Sequence, residues 1–163
     1  MNYPPESLEW RPAIPVGRRR KVGDGMRIYV ISRSLGGIVR CMVKHVNGGN
    51  PTMPPPYRLP HANLHSPTGF ECGYGGSGPA DLAASILADF LGVKSRTVAA
   101  AYHGKPRRRP PLALKVLLLH EHFKADVIAG LLIGPGGSFE IAGDEIAKWL
   151  AEHPHESEKA ASA

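Results

Sequence analysis

Hydrophobic and polar positions alternate in two short segments that lie close together in the chain. "MRIYVIS" (26–32) and "GIVRCMV" (37–43) are rich in β-branched residues, and only a short connection containing "RSLG" separates them. Alternation with a period of two is typical of strands that bury one face, and a short connection between two such strands favours a hairpin. We therefore predict an antiparallel β-hairpin here.

Apolar residues recur with helical spacing in three later segments. The first predicted helix has Pro79 at its first position and stops before Gly92, because proline is tolerated at a helix start and glycine often follows a helix end. The second begins at Pro111 and runs up to Gly130. Asp144 is a candidate N-cap for a last helix, "EIAKWLAEH".

The order of these elements predicts the fold class. "LLI" and "SFEIA" flank the turn "GPGG" and predict a second, smaller pair of extended segments. We expect an α+β fold, a small antiparallel sheet packed by two to three helices. A single domain is predicted over 26–152, with loop insertions near 47–60 and 93–111. A basic, Pro-rich flexible arm (1–25) and a tail (153–163) are predicted to be disordered.

Composition and charge narrow the classes of partner. The chain of 163 residues has 19 Gly and 16 Pro, a formal net charge of +6 and a pI of about 9.5. Basicity favours an anionic partner, which is nucleic acid, a nucleotide or an acidic protein. Two cysteines without metal-type spacing, no signal-peptide pattern and no long apolar run predict a cytoplasmic protein with no membrane partner.

A glycine-rich stretch, "GYGGSGPAD", precedes the first predicted helix. Its glycines permit close approach by a ligand, its backbone N–H groups can converge on an anion, and the helix start adds partial positive charge. It lacks the Gly-Lys-Ser/Thr ending of a Walker A loop, and Asp81, expected in the first helical turn, would repel a phosphate there. The stretch is either a cradle for an anion or a rigid corner between elements.

The same region carries a family resemblance. "HSPTGFECGYGGSGPADLAASILADFLG" resembles the signature HSP-x-GFEWGYGGSGPA-x-LA of a bacterial and phage family of unknown function. Phe123-Lys124 and Trp149-Leu150 stand where that family has "FK" and "WL" pairs, so the resemblance covers about 26–152. Cys72 replaces the usual tryptophan, which puts a stacking role at that position in doubt.

A second resemblance, in size and α/β content, is to phage anti-Thoeris proteins. Those proteins sequester cyclic ADP-ribose-type signals without cleaving them, and they are oligomers with pockets at subunit interfaces. This resemblance implies a phage or mobile-element protein with an anti-defence role that forms homo-oligomers.

Other candidate residues give weaker patterns. His120 and His122 point about 200° apart on a helix and cannot share an ion, so we predict no metal site and no cofactor. His65 is a candidate for orienting the glycine-rich loop or contacting a ligand. The carboxylates Asp89, Asp126, Glu121 and Glu140 show no spacing that demands a pair.

We predict a non-enzymatic protein that binds and sequesters a nucleotide-like anionic small molecule. The alternatives are a small basic nucleic-acid-associated protein and a hydrolase or transferase whose groups meet only in the fold. Aromatic rings would stack on a base, and arginines would grip phosphate. The predicted ligand contacts are Phe70, Tyr74, Gly75, Gly76, Ser77, Gly78, His65, Arg58, Arg96 and Lys124. The predicted contacts with nucleic acid or another anion are Arg18, Arg19, Arg20, Arg107, Arg108 and Arg109.

Overall fold

The computed structural model describes residues 26–46, 54–104 and 110–154. The basic runs near residues 18–21 and 107–109, the arm, most of the tail and part of the 47–60 insertion lie outside the described residues. The α+β fold class is confirmed: the described chain forms one four-stranded antiparallel sheet and four α-helices.

The predicted hairpin is confirmed and forms the centre of the sheet. β1 (Met26–Arg33) pairs antiparallel with β2 (Val39–Val46), with Tyr29 opposite Val43 and Ile31 opposite Cys41. These four side chains are buried because alternate positions along both strands face the helices.

Two further strands complete the sheet in the order β3-β2-β1-β4. β3 (Tyr57–Arg58) is a two-residue edge strand within the predicted 47–60 insertion, and β4 (Ser138–Ala142) pairs with the other side of β1. The predicted separate pair of extended segments is therefore wrong. Residues 131–133 form no strand, and "SFEIA" instead joins the main sheet.

The helix α1 (Ser77–Phe90) lies at the centre of the molecule, and all its residues from Gly78 to Ala88 are buried. Burial on every side needs small or apolar side chains all round, which the alanines of this helix supply. α1 packs against α3 (Pro111–Phe123), which begins at the predicted proline. α3 continues into a π-helical turn (Lys124–Ile128) before Gly130.

The prediction of a loop over 93–111 is wrong for its first half, because α2 (Ser95–His103) lies there. Only Ser95, Val98 and Ala101 of this helix are buried. The apolar stripe of α2 is therefore narrow, and the residues around the helix are basic and include glycines. This is why the sequence favours a loop here. α2 brings the number of helices to four, where two to three were predicted.

The last helix, α4 (Gly143–Glu152), starts two residues earlier than the predicted N-cap at Asp144 implies, because its N-cap is Ala142. The Glu145 carboxylate accepts a hydrogen bond from the Ala142 N–H at 2.9 Å and so stabilises the helix start. Trp149 packs edge-on against Phe123 and donates its indole N–H to Asp126 at 2.9 Å. No helix in the described part of the chain has both the length and the apolar character needed to cross a bilayer.

Candidate functional site

A cleft of about 600 Å³ opens between the β1–β2 turn, β3 with the residues after it, and the segment before the glycine-rich loop. It is lined by residues 36–39, 58–61 and 68–71, and we call it the Arg58 cleft. Drug-sized ligands occupy clefts of roughly 300–1,000 Å³. The size of the Arg58 cleft therefore suits a molecule as large as a nucleotide.

The Arg58 cleft combines a free cation with aromatic rings. Within the described residues, the exposed Arg58 guanidinium makes no hydrogen bond and no ion pair. The rings of His61 and Phe70 meet edge to face with centroids 4.9 Å apart. The carboxylate of Glu71 is drawn toward Arg33, 3.1 Å away, so its charge is largely offset.

The Asp81 carboxylate fixes the segment that runs from the Arg58 cleft to His65. Asp81 has no exposed surface and accepts hydrogen bonds from the backbone N–H groups of Leu64, His65 and Ser66, the last two at 2.9 and 3.0 Å. Its second oxygen also lies 2.9 Å from His61 Nε2. Asp81 is the fifth residue of α1, so its predicted place in the first turn is wrong. Its charge serves a tertiary contact.

The glycine-rich loop is built largely as a packed corner. Gly73 has φ +88°, and its N–H donates to the carbonyl of Ile128 at 3.1 Å. A Cβ at Gly78 would lie 2.7 Å from the Cβ of Glu71. α1 begins at Ser77, so Pro79 is its third residue and not its first; only Ser77 and Gly78 offer helix-start N–H groups before the proline.

A second cluster of polar groups lies where α2 and α3 meet the segment containing His65. The Nε2 atoms of His65 and His120 are 3.4 Å apart, and their rings stack at 19°. His120 is buried and its Nδ1 lies 2.8 Å from the Leu117 carbonyl, so Nδ1 carries the proton and donates it. His65 Nδ1 lies 3.2 Å from the Tyr102 hydroxyl.

Glu121 completes this cluster, which we call the histidine cluster (His65, His120 and Glu121). The Oε1 atom of Glu121 lies 3.4 Å from His120 Nε2 and 3.9 Å from His65 Nε2. Its other oxygen is paired with the ammonium group of Lys124. Burial would raise the pKa of Glu121, but the Lys124 hydrogen bond and charge lower it. Burial lowers the pKa of His120 and so favours a neutral ring.

The predicted ligand contacts are distributed over four places. Arg58 and Phe70 come together in the Arg58 cleft. Tyr74, Gly75 and Gly76 lie in the loop before α1, Ser77 and Gly78 are the first two residues of that helix, and the exposed Arg96 lies at the start of α2. His65 and Lys124 belong to or adjoin the histidine cluster.

The sequence reasoning missed His61 and Tyr102, neither of which lies in a recognised motif. It considered His120 only as a possible partner of His122. The spacing argument on His120 and His122 is consistent with the structure, because His122 is exposed on another face of α3. What joins His120 is a residue from a distant segment, which helical spacing within α3 does not reveal.

A third polar arrangement joins the sheet to the end of α1. The Asp89 carboxylate accepts hydrogen bonds from the hydroxyls of Tyr29 and Tyr57, each at 2.7 Å, and Arg27 donates to the Asp89 carbonyl. Burial and the bond to Asp89 raise the pKa of Tyr29, and they raise the pKa of Tyr57 to about 12. All these groups have partners, so the arrangement acts as a structural clamp.

The two thiols are buried in the core. Cys41 and Cys72 are free, and burial raises the pKa of Cys41 to about 12 and also raises that of Cys72. A thiol held in its protonated form is a poor nucleophile and a poor metal ligand. Neither cysteine therefore belongs to a candidate reactive site.

Residues 33–105 match a Family of unknown function (DUF6166). The predicted resemblance to a family of unknown function is confirmed at that level and over that range. The comparison with curated proteins and the comparison with solved structures each found no match. The matched range contains the Arg58 cleft and His65 but stops before α3. Of the histidine cluster, His65 therefore lies within the matched range, and His120 and Glu121 lie beyond it.

Proposed function

We propose that the protein binds a nucleotide-like anionic small molecule in the Arg58 cleft and sequesters it without chemical change. One observation carries the proposal: a nucleotide-sized cleft holds an arginine that has no acidic partner among the described residues, beside an accessible aromatic ring. A guanidinium binds phosphate through two parallel hydrogen bonds, and an aromatic face stacks on a base.

The walls of the Arg58 cleft support this assignment in two further ways. Gly37 and Gly69 leave open space in the cleft, because a Cβ at either position would have no atom within 4 Å. Arg33 largely offsets the one acidic residue in the lining, Glu71, which would otherwise repel an anion.

In this proposal the glycine-rich loop supports the wall of the Arg58 cleft and is not the main binding site for the anion. Gly78 packs directly on Glu71, whose own segment forms a wall of the Arg58 cleft. A rigid loop at this place would hold Phe70 and Glu71 in position. The N–H groups of Ser77 and Gly78 are a secondary contact that a longer ligand would reach.

Sequestration gives such a binder a function without turnover. It lowers the concentration of free ligand, so its effect depends on affinity and on copy number. The resemblance to anti-Thoeris proteins leads us to include a cyclic nucleotide signal among the ligands to test. The proposal also includes a phage or mobile-element origin, an anti-defence role, a cytoplasmic location and the formation of homo-oligomers.

The test is to mix purified protein with a panel of linear and cyclic nucleotides, remove unbound material, heat-denature the protein and chromatograph what is released. We expect a nucleotide to be recovered intact. Arg58→Ala should weaken its binding by about 10–100-fold, the effect of losing charge-assisted hydrogen bonds. Lys148→Ala is the control, since it removes an exposed cation on α4 that neither lines the Arg58 cleft nor belongs to the predicted ligand contacts.

Three outcomes would contradict the proposal. Folded protein that retains no nucleotide at low salt excludes it. Equal binding by wild type and Arg58→Ala moves the site elsewhere, and a further Gly76→Ala, Ser77→Ala double variant then tests the glycine-rich loop. Release of an altered nucleotide makes the protein an enzyme.

The hydrolase or transferase alternative has one observation in its favour, the convergence of two imidazoles and a carboxylate in the histidine cluster. Such groups can transfer protons or hold a reacting water. It predicts product formation that His65→Gln abolishes.

The nucleic-acid alternative depends on Arg18–Lys21 and Arg107–Arg109, which lie outside the described residues. It predicts duplex binding that weakens steeply with salt and disappears when both runs are neutralised.

A further inference from the structure

We propose that the histidine cluster is a binding site for one divalent transition-metal ion of the zinc class. The proposal is independent of the Arg58 cleft, because His65, His120 and Glu121 do not line it. Their candidate ligand atoms, two imidazole nitrogens and one carboxylate oxygen, lie within 4.8 Å of one another.

The orientation of the two imidazole rings is the first argument. His120 donates its Nδ1 proton to the Leu117 carbonyl, so its Nε2 atom presents a lone pair toward His65. His65 Nδ1 faces the Tyr102 hydroxyl, and when that nitrogen donates to the hydroxyl oxygen, His65 Nε2 presents a lone pair as well. Metal-bound histidines are held in this way by a partner on the other ring nitrogen.

The distances are the second argument. Two ligand atoms that each lie about 2.0–2.1 Å from a tetrahedral zinc ion are about 3.3–3.4 Å apart. The Nε2–Nε2 distance and the distance from His120 Nε2 to Glu121 Oε1 are both 3.4 Å. The remaining distance, from His65 Nε2 to Glu121 Oε1, is 3.9 Å and closes with a small rotation of a half-exposed glutamate.

The donor set and its charge select the class of metal. Imidazole and carboxylate ligands suit zinc and its first-row neighbours, whereas calcium and magnesium prefer oxygen ligands alone. Lys124 binds the far oxygen of Glu121 and leaves Oε1 available, but its positive charge weakens the attraction for a cation. Three protein ligands leave a fourth position open to water or to a bound molecule.

The competing arrangement needs no metal. If His65 carries its proton on Nε2, that proton is donated to His120 Nε2, and the Tyr102 hydroxyl then donates to His65 Nδ1. A hydrogen-bonded histidine pair of this kind would show no selectivity for zinc, and Glu121 would have no part in holding it. Metal titration therefore separates the two arrangements.

The experiment uses untagged full-length protein that has been treated with a chelator and dialysed. It is titrated with Zn²⁺ against a chromophoric competitor, and with Co²⁺ while visible absorption is recorded. We expect one equivalent of Zn²⁺ to bind, a Co²⁺ spectrum typical of a four-coordinate ion, and a higher Tm with zinc but not with Mg²⁺.

Variants assign the binding to these residues. Glu121→Gln and His65→Gln should each weaken zinc binding by at least about tenfold, because a removed ligand costs no less than a removed supporting contact. His122→Ala is the control: it removes an exposed histidine of the same helix, outside the histidine cluster, and should leave binding unchanged. Circular dichroism confirms that each variant is folded.

Two results would overturn the proposal. Folded wild-type protein that binds no zinc at micromolar concentrations leaves the hydrogen-bonded histidine pair as the explanation. Zinc binding that persists unchanged in both Glu121→Gln and His65→Gln assigns the metal to other residues. In either case nucleotide binding in the Arg58 cleft would be unaffected, so the two proposals fail separately.

Discussion

Replacement of Asp81 by alanine should destabilise the protein severely. The substitution leaves three backbone N–H groups, those of Leu64, His65 and Ser66, without their acceptor in or near the core. An unpaired buried donor costs about 1–3 kcal/mol, and removing a buried carboxylate recovers part of its desolvation cost. We estimate a net loss of about 3–6 kcal/mol in the free energy of unfolding.

The measurement is urea unfolding followed by circular dichroism. Asp81→Asn keeps one acceptor oxygen and the same shape, so it should lose about half as much. Glu140→Gln is the control, because it removes a carboxylate that is exposed on β4. A folded Asp81→Ala protein that loses less than about 1 kcal/mol would refute the reasoning, since it would mean that water or a shifted backbone satisfies the three donors.

Two more predictions concern the clamp and the loop. The pKa of Tyr57 is raised above its ordinary value of 10.0 to about 12, so its neutral form stabilises the fold below pH 10, and this contribution is lost as the pH rises towards 12. The free energy of unfolding, measured with urea, should fall between pH 8 and pH 11. Tyr57→Phe should make this fall smaller by about 1 kcal/mol, a value that is discounted for the partial exposure of Tyr57. An unchanged pH profile would exclude the bond to Asp89 as the cause. Gly78→Ala should destabilise by about 1–3 kcal/mol, although alanine favours helix, because its Cβ would lie 2.7 Å from the Cβ of Glu71. Gly75→Ala, which has no atom within 4 Å of its new Cβ, should change Tm very little, and equal Tm values for both variants would contradict this account of the loop.

Local patterns were sufficient for the elements whose signal lies within one segment. The hairpin of β1 and β2 follows from alternation and a short turn, and α3 begins at Pro111 because proline suits a helix start. α2 was missed because its three buried positions give too narrow an apolar stripe to stand out from a basic loop. Helix start positions were also imprecise, since α1 begins two residues before Pro79.

Contacts between segments far apart in the chain could not be predicted from the sequence, because they depend on how the elements pack in three dimensions. β4 was predicted as an extended segment, but its partner is β1, and the choice of partner depends on the packing of the helices between them. The histidine cluster joins residues 55 positions apart, which no spacing rule connects. The sequence placed Asp81 in the first turn of a helix. In the structure its carboxylate instead accepts hydrogen bonds from the backbone N–H groups of His65 and Ser66, which lie in another segment.

The position of β1 between β2 and β4 has a consequence for how the chain reaches its fold. β1 can pair with β2 as soon as both have left the ribosome, because they are neighbours in sequence. Its other edge stays open until Ser138–Ala142 has been synthesised, after all of α1, α2 and α3. Contacts over such a separation form slowly, and an open strand edge is a site for mispairing. A nascent chain halted before β4 would expose the edge of its central strand, so this protein should depend on chaperones more during synthesis than after it.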